Sequence, residues 1–435
     1  MAMKRSERVE ASKEIDRKID DVANNDAPEI IVHHYDSKIA ADHKLAERKL
    51  SKYNFTLFQD YDEELIRQSF AKATRHKSLA TIINLSEFHG KDWSDITRVE
   101  IRTILTKIMT VYSKKTGQET NTTYDHKKHL RLFVRWIVTG VRERDKNEAE
   151  LDVLKDVRMR KVKNQLVREE LLNDDDMMKL SEACGEDIMM RALIWTAYDA
   201  GTRPTELLTL RIKDIKQESD GWTISVDGKT GQRPIHLIKS VPYLTTWLNC
   251  HPLKKRTDWA LFVITYRNFY GNPLSYVTCN KRLKEIGIKA NLSKRLYLNL
   301  FRHSEVTNTS KFMPESLLKK RHGWTATSKV PANYQHMVQD DVKKSLHEHY
   351  GITTTEEKPV INQKCSNCEE VNGLDVDLCV RCHLPLSLEK RMELQDKDDQ
   401  EKQRINDKLE KSDTKIDKLT EIIKNLSKKI DEKSS

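Results

Sequence analysis

Residues 198–210 read Tyr-Asp-Ala-Gly-Thr-Arg-Pro-Thr-Glu-Leu-Leu-Thr-Leu, and the way this stretch must fold decides much of what surrounds it. Gly201 suits the left-handed end of one helix, and Pro204 suits the first position of the next, where its missing N–H is no loss. Arg203 then lies in a tight turn between two helices. From there its planar fork can meet a phosphate, or it can pair with Glu206 one turn on. Upstream, Leu171-Leu172-Asn173-Asp174 supplies an N-cap for a new helix. Downstream, Thr223–Val226 and Pro234–Leu237 alternate as two strands of a hairpin, with Asp227–Gln232 as its turn. Lys229 sits in that turn between Gly228 and Gly231, where it is either a solvated lysine or a proton donor reaching toward a ligand. Residues 173–352 therefore read as a largely helical domain with one small sheet.

Nearer the N-terminus the pattern is helical throughout. Leu65, Ile66 and Phe70, then Ile82, Ile83 and Leu85, then Ile101, Ile104, Leu105, Ile108 and Val111, and finally Leu130, Phe133, Val134 and Ile137 recur at three- and four-residue steps. These define a helical domain over 51–145. Arg67, Lys72, Arg75, Lys77, Lys127, Lys128, Arg131 and Arg135 interleave with them and read, one by one, as solvated helix faces. Residues 1–50 are charged with little apolar periodicity, which predicts a flexible or helical extension. Residues 146–172 are charge-dense and predict a linker.

The 435 residues are too many for one ordinary domain, so two or three folded units are expected. Charged residues make up 33 % of the chain and the formal charge is +10, which favours a polyanionic partner. No run of 18 apolar residues occurs and the start lacks an apolar leader, so neither a membrane span nor secretion is expected. A cytoplasmic, nucleoid-associated location is the expectation.

Two further motifs complete the set. In Leu298–Thr307, Asn299 and Arg302 share a helix face while Leu300, Phe301 and Val306 can turn inward. In Arg321–His336, Trp324 follows a helix-ending Gly323, and its indole N–H can donate to an oxyanion; Tyr334 lies ten residues on. Read singly, each of these is also an ordinary structural residue. The ordered set, an arginine, a hairpin lysine, a second arginine followed by histidine, Gly-Trp and then tyrosine, resembles the catalytic domain of the tyrosine recombinase, or phage integrase, family. The form Gly-Trp, Ser, Tyr-x-His looks like its archaeal branch.

The resemblance covers 174–350, with 55–141 as the matching helical DNA-clamping domain. It implies Arg203 and Arg302 as a phosphate clamp, Lys229 as general acid, Trp324 in the place of a histidine, and Tyr334 as nucleophile. The implied product is a covalent 3′-phosphotyrosine with a free 5′-hydroxyl, made without ATP or a catalytic metal, in site-specific recombination of double-stranded DNA. A DNA-binding regulator with a decayed site and a type IB topoisomerase are the alternatives. Asn299 departs from the family, which has histidine or lysine there; an amide can orient a phosphate but cannot exchange a proton near neutral pH. His303 and His322 lie close enough in sequence to be considered as the missing base.

Four of the seven cysteines cluster as Cys365-x-x-Cys368 and Cys379-x-x-Cys382, with ten residues between the pairs. Two such knuckles can surround one structural Zn²⁺, so a zinc ribbon is expected over 360–387. Beyond it, Ile405, Leu409, Ser412, Ile416, Leu419, Ile423, Leu426 and Ile430 alternate four- and three-residue steps. That heptad seam predicts a coiled-coil helix over 388–435 and self-association without setting the number of copies; a tetramer on DNA is the expectation that goes with the recombinase resemblance. The expected fold is mainly α with a small β-sheet, an α+β architecture.

Overall fold

Most of the three- and four-residue apolar steps of the N-terminal half fall on helices. In the computed structural model α1 spans Tyr35–Lys49, α2 Lys52–Arg67, α3 Lys72–His89, α4 Arg98–Tyr112 and α5 Asn121–Thr139. Thr97 and Glu100 cap each other reciprocally at the start of α4, while Gly90 and Gly140 end α3 and α5 in the left-handed conformation. The structure describes residues 26–405 except 95, 114–116, 146–147, 161, 163–167, 219–220, 229–230, 266–269, 335–345, 348–361, 366, 374–375, 388–389, 395 and 398–399. The heptad seam beyond Ile405 and the first 25 residues lie outside the described residues.

The chain divides into two compact units, Ile31–Leu166 and Met1–Ile30 with Val167–Ser435. The first buries Phe58, Tyr61, Leu79, Ile82, Trp93, Ile104, Leu130 and Phe133 in one core. Three sequence expectations change here. Ile66 and Val111 fit the periodicity but face outward. Residues 35–49, read as part of a flexible or helical extension, form a helix that packs on α3. Its packing is not legible in the sequence because its buried seam is only Ile39, Asp42 and Ala46, with the Asp42 carboxylate receiving His76 Nδ1 at 2.6 Å. Part of the expected linker also belongs to this core, through Leu154 and Val157.

The basic residues of this unit are largely spoken for. Arg75 grips Asp62 through two nitrogens at 2.9 Å, Lys127 reaches Glu119 at 2.8 Å, and Arg67 and Lys72 reach Glu64 and Asp36 at 2.7 Å. Lys77 pairs with Asp125, Arg131 with Glu150 and Arg135 with Glu148.

In the second unit Asn173 caps α6, Asp174–Ala183, by accepting from Asp176 N–H at 2.8 Å. Helix α7, Ile188–Ala200, is apolar nearly all round and is the central post, packed against α9, Val241–Cys250, and α11, Leu298–Thr309. Gly201 ends α7 in the left-handed region and Pro204 opens the short α8, Pro204–Leu208. An antiparallel sheet follows in the order β1, Ile215–Glu218, β2, Gly221–Gly228, and β3, Gly231–Leu237. The hairpin is longer than expected: Asp227 pairs with Gln232 and Gly228 with Gly231, so four residues read as turn are strand. Strand β1 was not foreseen, because Ile-Lys-Gln-Glu is too short and polar to stand out.

Helices α10, Tyr276–Lys289, and α12, Glu315–His322, also belong to this unit. After them, β4, Asn362–Lys364, and β5, Val371–Gly373, pair antiparallel, and β5 packs against α9. The described residues are thus mostly helical with small antiparallel sheets. Among them no helix is long and apolar enough to cross a membrane.

Candidate active site

Arg203 occupies the turn between α7 and α8, and the two readings of it are compatible. Its Nη1 donates to Glu206 Oε1 at 2.7 Å and its Nη2 to the Gly323 carbonyl at 3.1 Å, while about a third of the side chain stays open to solvent. Glu206 is buried and is the hub. It also accepts from Arg233 of β3, at 3.1 and 2.7 Å. Burial alone would raise the Glu206 carboxyl, but hydrogen bonds from Arg233 and Arg203 outweigh it and hold the pKa below the usual value. Gly228 lies against this carboxylate so closely that a Cβ there would collide with it.

Arg302, from α11, ties two turns together from behind. Nη1 donates to the Gly201 carbonyl at 2.7 Å and Nη2 to the His322 carbonyl at 2.9 Å. Its guanidinium lies 5.4 Å from the Trp324 ring centre. Burial, followed by repulsion from Arg203, lowers its pKa to about 10, so it remains charged at neutral pH. Beneath it, Glu305 receives Arg321 Nε at 3.1 Å and contacts His322 Nε2 at 3.0 Å.

Tyr334 ends a one-turn helix, Pro331–Asn333, and its ring stacks with Trp324 at 5.7 Å and with His303 at 5.6 Å. His303 Nδ1 is 2.9 Å from the Tyr334 hydroxyl. Burial raises the Tyr334 pKa, and the charges of Arg302 and Arg203 oppose that rise. Burial, then Arg302, depresses His303, so its ring is neutral around pH 7.

Of the residues proposed from sequence, Arg203, Arg302, Trp324 and Tyr334 come together. Asn299 is on α11 and exposed. Lys229 lies outside the described residues; the Gly228–Gly231 pairing is what flanks it. Sequence reasoning gave no role to Arg233 or Glu305 and left His303 in the background. Arg233 did carry a signal, since it shares the inward face of β3 with Ile235 and Leu237.

The cysteines form a second centre. Cys365 and Cys382 sulfurs are 3.5 Å apart, as are those of Cys368 and Cys379, and all four lie within 4.8 Å of one another. A tetrahedral ion with metal–sulfur bonds of about 2.3 Å needs sulfurs roughly 3.8 Å apart, so this set can hold a metal ion. Buried Asn372 points Nδ2 at the Cys379 sulfur from 3.7 Å and accepts Val380 N–H at 2.9 Å, fixing the second knuckle.

Three comparisons bear on these centres. The model described as the Phage integrase family matches residues 170–340. Tyrosine recombinase XerC of Shigella dysenteriae serotype 1 (strain Sd197) is 27 % identical over 237 residues, covering 53 % of this chain and 74 % of that protein. XerC of Escherichia coli (strain K12 / DH10B) is 28 % identical over 239 residues, with the same coverage of 53 % and 74 %. Among solved structures, XerH site-specific recombinase bound to palindromic difH substrate aligns with a TM-score of 0.50 at 17 % identity, over 77 % of this chain and 95 % of that one. A lambda integrase dimer bound to a COC′ core site aligns with a TM-score of 0.50 at 16 % identity, over 64 % and 94 %. These two likenesses establish the fold.

Proposed function

We propose that the chain is a site-specific DNA recombinase that cuts and rejoins double-stranded DNA through Tyr334. What supports this reading is one convergence: Arg203 holds the Gly323 carbonyl, Arg302 lies against Trp324, Trp324 stacks on Tyr334, and both guanidinium charges act on the Tyr334 hydroxyl. A phosphodiester is anionic and repels a nucleophile, and a tyrosine hydroxyl with a pKa near 10 is weak at neutral pH. Two charged guanidiniums neutralise the non-bridging oxygens and stabilise the added charge of the transition state. Trp324 contributes an indole N–H and packs the tyrosine ring. Asn299 orients the phosphate.

As the Tyr334 oxygen bonds to phosphorus, the bond from phosphorus to the 5′ oxygen breaks, and Lys229 gives that oxygen its proton. The phosphotyrosine keeps the bond energy, so a 5′-hydroxyl from another strand can reverse the step without ATP or a catalytic metal. The four cysteines hold one structural Zn²⁺, and the heptad sequence within 388–435 is the means by which copies would associate as a tetramer on DNA.

Nicked suicide substrates built on repeats flanking the gene test this reading. The wild-type chain should be trapped as a covalent protein–DNA adduct, and Tyr334→Phe should give none. An adduct surviving in Tyr334→Phe removes Tyr334 as nucleophile. The exposed amide of Asn299 favours a second reading, a DNA-binding regulator with a decayed site, which predicts binding without any adduct.

A further inference from the structure

We infer that His303 is the catalytic base of this site, taking the Tyr334 proton that Asn299 cannot accept; the inference rests on the recombinase reading above. Proton transfer requires a basic atom within hydrogen-bond reach of the hydroxyl. His303 Nδ1 is there, at 2.9 Å, with the two rings stacked at an interplanar angle of 27°. It lies one helical turn beyond Asn299 on α11, so the helix presents both positions toward the same side. His322 does not compete, because it is fully buried and its Nε2 contacts the Glu305 carboxylate.

The charge environment suits a base. Arg302 from α11, Arg203 from the turn before α8, and the hydroxyls of Tyr334 and Tyr297 are the ionisable groups that act on this pair. Burial and Arg302 keep the imidazole neutral, so the tautomer protonated on Nε2 leaves Nδ1 free to accept. As the Tyr334 oxygen–phosphorus bond forms, the proton moves to Nδ1 and an imidazolium results. When a 5′-hydroxyl reverses the step, that proton returns to the departing tyrosine oxygen, so each half-reaction balances. Imidazolium formation beside Arg302 is uphill, which favours the return.

Single-turnover cleavage of the suicide substrate by the full chain tests the assignment. His303→Gln should slow adduct formation by about 100-fold or more, within the range of general-base catalysis, while DNA binding is retained. The wild-type rate should fall with decreasing pH as the imidazole is protonated, and His303→Gln should lose that acidic limb. Adding Asn299→His to His303→Gln should restore part of the rate together with the limb. His303→Asn serves the same test should the glutamine variant fold poorly. Cleavage by either variant at the wild-type rate, or slowing with an unchanged pH profile, overturns the assignment. No adduct from the wild-type chain overturns the recombinase reading instead, and the inference falls with it.

Discussion

Glu206 takes two nitrogens of Arg233, at 2.7 and 3.1 Å, with both side chains almost fully buried. The same carboxylate holds Arg203 at 2.7 Å, so one buried anion sets the direction of an arginine whose side chain is about a third open to solvent. Removing Arg233 leaves that anion half-compensated in a low-dielectric site. Arg233→Met should therefore destabilise the protein by about 3 kcal/mol, as broken buried pairs do, and slow cleavage. Urea unfolding midpoints and adduct yield on the suicide substrate would measure the two effects. An unchanged midpoint would mean that Arg203 alone satisfies Glu206.

Gly201 and Gly140 both have positive φ, +57° and +72°, yet their surroundings differ. A Cβ at Gly140 meets nothing, whereas at Gly201 it would strike the Glu305 carboxylate and the His322 ring. Gly140→Ala should cost only the left-handed strain of about 1 kcal/mol. Gly201→Ala should cost clearly more and also lower cleavage, because Arg302 is anchored to the Gly201 carbonyl. Thermal unfolding of the two variants side by side checks the order.

His251 illustrates pH sensitivity remote from the chemistry. Its Nδ1 accepts Leu253 N–H at 3.0 Å and its Nε2 meets the Ala260 carbonyl at 3.2 Å, a neutral ring, and burial lowers its pKa to about 4. In the unfolded chain the same group titrates near ~6.5. Between those values the unfolded state binds the extra proton, so stability falls as pH drops from about 6.5 to about 4. The full effect is on the order of 3 kcal/mol. His251→Gln should flatten that part of a plot of urea midpoint against pH.

Stripping metal from the cysteine centre should loosen more than the centre itself, because β5 packs against α9. The holoprotein should contain one zinc per chain, and Cys379→Ser should lose it. Hydrogen exchange should then quicken in β4 and β5 first and in Val241–Cys250 to a smaller degree. Unchanged exchange in the zinc-free protein would show that the fold there does not depend on the ion.

The chain by itself determined those features that rest on local physics. Helix positions follow from three- and four-residue apolar spacing, the α7–α8 turn from Gly201 and Pro204, and the hairpin from alternating strands. The paired Cys-x-x-Cys spacing brings sulfurs close enough to share an ion. Arg203, Arg302, Trp324 and Tyr334 could be picked out from their order along the chain, though not from the surroundings of any one of them.

Only the tertiary structure decided the partners. That Glu206 would be shared by Arg203 and Arg233 requires the β2–β3 hairpin to lie against α8, a non-local pairing that no window of sequence contains. The helix Tyr35–Lys49 is held by a short seam and a part-buried Asp42–His76 pair, so its place depends on a residue 34 positions away. Likewise His303 became visible as the neighbour of the Tyr334 hydroxyl only once residues 31 apart were brought within hydrogen-bond reach. Periodicity reports which face of an element is apolar. Which polar group meets which is set when those faces pack, and the chemistry of this site lies in those meetings.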